Sequence, residues 1–275
     1  MIDLLAYDFM RRALLVALLT GLMAPAIGTY VVQRRLSLLG DGLGHIAIAG
    51  VGLALLTQTQ PLPVAVVVAV LGGVLVELLR QRGRASGDVG LAILFYGGLA
   101  AGVLMAGITG AGAGALSQYL FGSLTSLTNG DVLVVAVLTL VVLVPSIGLS
   151  PQLFAVCADE DHARVLGLPV RTLNFLVVVL AAVAVTVSMR TVGLLLVSAL
   201  MVVPVAASQG IVRGFRVGLY TAMGIGAFVA LSGAVGSFYA DVAPGALIVL
   251  IAIAVFVATW PVAALLERRR RQPAG

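Results

Sequence analysis

Long apolar stretches almost free of charge follow one another along this chain, and no other feature limits its fold so strongly. They cover residues 13–32, 38–56, 62–79, 89–108, 132–149, 172–189, 191–212, 217–239 and 246–266. At about 1.5 Å of rise per residue, a helix through each is long enough to cross the ~30 Å hydrocarbon core of a bilayer. Composition agrees: 61% of residues are hydrophobic and 10% charged, against about 45–50% and 25% in a water-soluble domain. The sequence therefore predicts an all-α integral membrane protein. Residues 1–275 form one polytopic bundle of about nine transmembrane helices, with eight or ten as the neighbouring counts. The apolar run behind Arg11 and Arg12 continues to Val32, too long for the core of a cleaved signal.

The arginines set the predicted orientation, because cationic loops are retained on the cytoplasmic side. With nine crossings and the N-terminus outside, Arg34, Arg35, Arg80, Arg82, Arg84, Arg164, Arg171, Arg213, Arg216 and Arg268 to Arg271 fall inside, and Arg11, Arg12 and Arg190 outside. The C-terminus is then cytoplasmic, in a cell membrane, and residues 150–171 form the largest cytoplasmic loop. The formal charge of +5 is accounted for by these short clusters, which is membrane topology rather than a nucleic-acid footprint. Residues 110–130 are rich in glycine and serine, and 115–122 is a candidate for dipping into the protein, where irregular backbone is tolerated only if protein surrounds it. Gly40 and Gly44, and Gly98 and Gly102, are spaced for close helix contact.

Ionisable residues within or beside the spans are few. Asp41 and His45 share one helical face, and a carboxylate with an imidazole suits zinc, manganese or ferrous iron. Two ligands bind weakly, which is compatible with release after passage. In a two-fold dimer, two such pairs would meet at the axis. The competing assignment is an aspartate bonded to backbone near its helix start and a histidine satisfied between helices. Ionisable groups inside a membrane cost roughly 2.5–3.5 kcal/mol on insertion scales and usually mark pathways. Asp88, at the mouth of the fourth span, ranks behind this pair. Glu77, beside Arg80, is expected in a solvated loop, and Asp131, Asp241 and Arg190 at the opposite surface. The single Cys157 excludes a disulfide within the chain and every cysteine-based metal pattern.

The stretch 157–170 has a polar start, a short helical pattern and a stop at Gly167 and Pro169, so a brief helix is expected, capped by Asp159 or Asp161. Its Leu166 and Leu168 are candidates to face a partner or the membrane. The chain contains no lysine, so it has no GxxxxGK[ST] phosphate loop, and ATP hydrolysis would fall to another subunit. No GxSxG, HExxH or dinucleotide motif occurs, and no enzyme site can be assembled.

Three stretches resemble the zinc and manganese family of ABC import permeases. They are ValValGlnArgArgLeuSerLeuLeuGlyAspGlyLeuGlyHis from Val31 to His45, LeuPheGlySerLeu from Leu120 to Leu124, and AspGluAspHisAlaArgValLeuGlyLeuPro from Asp159 to Pro169. The resemblance implies a type II ABC importer-like permease: a homodimer in the lipid bilayer, with two cytoplasmic ABC ATPase subunits and an extracytoplasmic metal-binding protein. Asp41 and His45 match the family's metal residues in the second helix, and Asp88 a matching aspartate near the fourth. The short helix would couple to the ATPase through Asp159, Glu160, Ala163, Arg164, Leu166 and Gly167. Where the family usually has Phe-Asp-Pro-Glu, this chain has Ala158, Asp159, Glu160 and Asp161, keeping only the aspartate. The implied activity is ATP-driven import of a divalent metal, zinc first and manganese next, with no permanently bound cofactor. An ATP-independent secondary metal transporter and a permease for a siderophore or cobalamin chelate are the alternatives.

Overall fold

The computed structural model describes residues 7–81, 87–110, 112–122, 127–189 and 193–271; the side chains of 87–89, 91, 112, 113, 115, 195, 196 and 262–271 lie outside that description. Expectations that rest on Arg82, Arg84, Arg190 and on the side chains of Asp88 and Arg268 to Arg271 fall outside it too.

Among the described residues every regular element is a helix: α1 (Asp8–Gln33), α2 (Leu39–Thr57), α3 (Pro61–Gln81), α4 (Gly87–Ile108), α5 (Gly112–Phe121), α6 (Asn129–Gly148), α7 (Ser150–Ala158), α8 (Glu160–Val165), α9 (Val170–Ser188), α10 (Leu194–Ile211), α11 (Phe215–Ala240) and α12 (Pro244–Arg271). Seven of them, α1, α2, α3, α6, α9, α11 and the 244–261 part of α12, are long and apolar enough to cross a membrane. The apolar stretches Ala92–Ile108 of α4 and Val197–Ile211 of α10 are shorter. These nine helices coincide with the nine expected spans. In lipid, only helices satisfy their own backbone.

Burial separates an inner group of helices from an outer one. In α1, α2 and α9, 72% of the apolar span is buried, against 22% in α6 and 17% in α12. The inner helices carry the small and β-branched residues of the core, such as Ala13, Ala17, Ala24, Ala47, Ala181 and Val185, all essentially inaccessible. The outer helices expose Leu133, Leu140, Val144, Leu250, Val257 and Trp260, an apolar surface fit for lipid or another membrane helix. α2 packs chiefly against α4 and α3, and also touches α9 and α10; α1 packs chiefly against α11, with α10, α6 and α9 around it.

Three expectations change in detail. Residues 112–121 form a helix rather than an irregular dip, and Leu116 and Tyr119 of that helix are buried. Gly193, at φ 86°, lies directly against the backbone of Leu120, Phe121 and Gly122, so the end of α5 is seated on the start of α10. The stretch after the fifth span continues as α7, because Pro151 occupies a first-turn position where its missing N–H costs nothing.

The largest correction concerns Glu77, expected in a solvated loop and found 1% exposed. A glutamate beside an arginine cluster reads locally as surface, but here Arg80, Gln81 and Arg34 surround it. Arg80 donates to it twice, Nε to Oε2 at 2.9 Å and a terminal nitrogen to Oε1 at 2.9 Å. Gln81 adds a third hydrogen bond at 3.0 Å, and the Arg34 guanidinium from the end of α1 stands 3.7 Å away.

Candidate metal centre

Asp41 lies in the first turn of α2 and His45 one turn further on. The first turn is favourable for a carboxylate, since unpaired N–H groups and the helix dipole favour negative charge there. The His45 ring is 7% exposed, and its Nδ1 lies 2.7 Å from the main-chain oxygen of Asp41. A carbonyl oxygen only accepts, so Nδ1 carries the hydrogen. In the neutral ring Nε2 then keeps its lone pair, the arrangement in which a histidine ligates metal.

Two residues that no sequence pattern pointed to complete the surroundings. Ser198 of α10 donates from Oγ to Asp41 Oδ1 at 2.6 Å, fixing one carboxylate oxygen and placing a further oxygen beside the pair. Phe95 of α4 lies against the imidazole, with ring centroids 3.7 Å apart and planes at 34°. Both contacts depend on missing side chains. A Cβ at Gly40 would lie 2.8 Å from Ser198 Oγ, and one at Gly98 would lie 2.7 Å from the His45 carbonyl oxygen. The glycines of the two four-residue spacings thus serve helix packing, and that packing brings α10 and α4 onto the Asp41 and His45 face.

The donor set within one chain is small. Among the described residues no three of His, Cys, Asp and Glu group together, so Asp41, His45 and the Ser198 hydroxyl offer three oxygens and one free ring nitrogen. Burial pushes the Cys157 thiol up to about 12, which keeps sulfur protonated at neutral pH. Asp88 occupies the first turn of α4.

The residues matched to ATPase coupling form α8. Asp159 is its N-cap, accepting from the backbone N–H of Asp161 and of His162, each at 3.0 Å. Gly167, at φ 75°, ends it: the N–H of Leu168 returns to the Ala163 carbonyl and that of Gly167 to Arg164, a Schellman motif. Ala163 is buried beneath the helix, Val165 is 85% exposed and Leu166 59%. Arg164 pairs with Asp161 at 2.7 Å and Glu160 at 3.6 Å. Glu160 also turns toward the bundle: its Oε1 receives Asn174 Nδ2 at 3.0 Å and lies 3.3 Å from Arg80 and 3.5 Å from Arg34.

Comparison with known proteins gives the family. Residues 6–263 match the family model described as the ABC 3 transport family. A Treponema pallidum protein named "Probable metal transport system membrane protein" is 32% identical over 92% of this chain and 95% of its own length. The manganese transport system membrane protein MntC of Halalkalibacterium halodurans is 30% identical over 92% and 87%. Among solved structures, PsaBC from Streptococcus pneumoniae in complex with Fab superposes with a TM-score of 0.86 at 25% identity, covering 94% of both chains. The chain belongs to the ABC 3 transport family and is a membrane permease subunit of metal ABC transport.

Proposed function

We propose that this permease carries a divalent first-row metal ion inward, and that the ion pauses on Asp41 and His45. The observation that carries the reading is the His45 ring, held by its Nδ1–H to the Asp41 carbonyl with Nε2 left to coordinate, one turn from a carboxylate. The sequence-based preference for zinc rests on the imidazole. The Ser198 oxygen beside Asp41 makes the set richer in hard donors, and a relative named for manganese transport lies at 30% identity. We therefore place manganese first and zinc second. A bulky chelate is disfavoured, because such a cargo gives no use to a carboxylate and an imidazole paired one helical turn apart.

The rest of the machine follows from the resemblance and the charge pattern. Two copies of the chain form the permease, with the arginine-rich ends cytoplasmic. α8 offers Val165 and Leu166 to a cleft on the ATPase, and a metal-binding protein delivers the ion from the opposite side. ATP binding would draw the ATPases together and shift the paired permeases between outward and inward access.

The test is uptake of manganese and of zinc, separately, into liposomes holding this chain with its ATPase subunit, given donor protein and internal ATP. Uptake that requires ATP and is lost in His45→Ala is the expected result, and the metal taken up names the substrate. Uptake that proceeds without ATP returns the secondary-transporter reading.

A further inference from the structure

The geometry points to Glu160 as a positioning residue that ties the coupling helix to the end of α1, which leads into the helix bearing Asp41 and His45, rather than as a contact of the ATPase. Four charged groups meet where α1 ends, α3 ends and α8 begins: Arg34, Glu77, Arg80 and Glu160, two cations and two anions. The Arg34 and Glu77 side chains are 4% and 2% exposed. Such burial requires mutual neutralisation, since an unpaired charge there would be strongly destabilising.

The contacts differ in tightness. Glu77 and Arg80 form a two-pronged pair at 2.9 Å and 2.9 Å within α3. Arg34 has no hydrogen-bond partner for either terminal nitrogen among the described residues, and is held at 3.5 Å from Glu160 and 3.7 Å from Glu77 by charge alone. A shift of α8 by less than an ångström would convert the contact with Glu160 into a hydrogen bond or break it. Arg34 directly follows α1, and Asp41 lies in the first turn of the next helix. Displacement of α8 therefore reaches the metal pair through Glu160 and Arg34, with α3 as the fixed side.

This inference rests on α8 being the ATPase docking element, and that reading fails separately if Val165→Asp with Leu166→Asp leaves ATPase copurification intact. The test of the tie is metal taken up per ATP hydrolysed, in liposomes with the ATPase and manganese- or zinc-loaded donor, for Arg34→Gln, Glu160→Gln and the double variant. Each single variant should copurify with the ATPase and lower the ratio about tenfold, and the double should be no worse than either single. Glu160→Asp should restore most of the ratio. If a glutamine variant does not fold, Arg34→Lys and Glu160→Asp are each expected to lower the ratio by about two- to threefold, with the pair again non-additive. The tie is overturned if Glu160→Gln loses the ATPase while Arg34→Gln transports normally, if the two losses multiply, or if the conservative pair behaves as wild type.

Discussion

Asp41 with His45 on α2, and Glu77 with Arg80 on α3, are both ionisable pairs one helical turn apart inside an apolar bundle, yet they are satisfied in opposite ways. Glu77 receives hydrogen bonds from Arg80 and Gln81 and faces the Arg34 guanidinium, so its capacity is used up inside the protein. At Asp41, Ser198 engages one oxygen, and at His45 the ring spends its single N–H on a backbone carbonyl. Lone pairs remain on Asp41 and His45 and are spent on Glu77. A buried polar group that is fully partnered holds structure together, whereas one left with unused donor capacity is kept for something that comes and goes.

The strongest way to break this contrast is to truncate each pair and compare two readouts. Asp41→Ala and His45→Ala should lower metal uptake by about 100-fold or more, with thermal stability in detergent shifted by less than about 1 kcal/mol. Glu77→Ala should do the reverse in stability, leaving Arg34 and Arg80 to share the single anion of Glu160 and costing about 3–5 kcal/mol. Thermal unfolding followed by size-exclusion fluorescence measures both. A stable Glu77→Ala protein, or an unfolded His45→Ala protein, would collapse the distinction.

The first pair was legible in the sequence and the second was misread, for a physical reason. A carboxylate and an imidazole four residues apart within an apolar run identify themselves locally, because the helix alone brings them together. Glu77 lies beside Arg80, and nothing local shows that Arg34 and Glu160 close over it from distant parts of the chain. Ser198 is equally invisible: it is 157 residues from Asp41 and reaches it only through the Gly40 approach. The spans were legible as continuous apolar runs, and α8 through its Asp159 start and Gly167 stop. α7 was not, since its residues are neither apolar enough for a span nor set off by a local cap.

Ser198→Ala sharpens the comparison at the metal pair itself. Losing the hydroxyl frees Asp41 Oδ1 from a 2.6 Å bond and removes an oxygen from the surroundings. Uptake affinity for manganese should fall about tenfold, while affinity for zinc, which leans on the imidazole, should fall by about threefold or less. Equal losses for the two metals would reduce Ser198 to a packing residue. Competition uptake with both ions present reads the ratio directly.

The smallest effect belongs to a third carboxylate, outside the bundle and exposed. The backbone N–H groups of His162 and Asp161 donate to Asp159 and hold its carboxyl below the usual 3.8. A depressed folded pKa means that the cap contributes fully above the ordinary carboxylate range and is lost only as pH falls through the folded value. Amide protection of Asp161 and His162 should therefore be flat across neutral pH and drop by roughly 2–3-fold on strong acidification, because solvent screens so exposed a group. Asp159→Asn keeps an acceptor oxygen and removes the titration, so its protection should stay flat into acid, whereas Asp159→Ala should be low throughout. An acid-side drop that survives in Asp159→Asn would place the titrating group elsewhere.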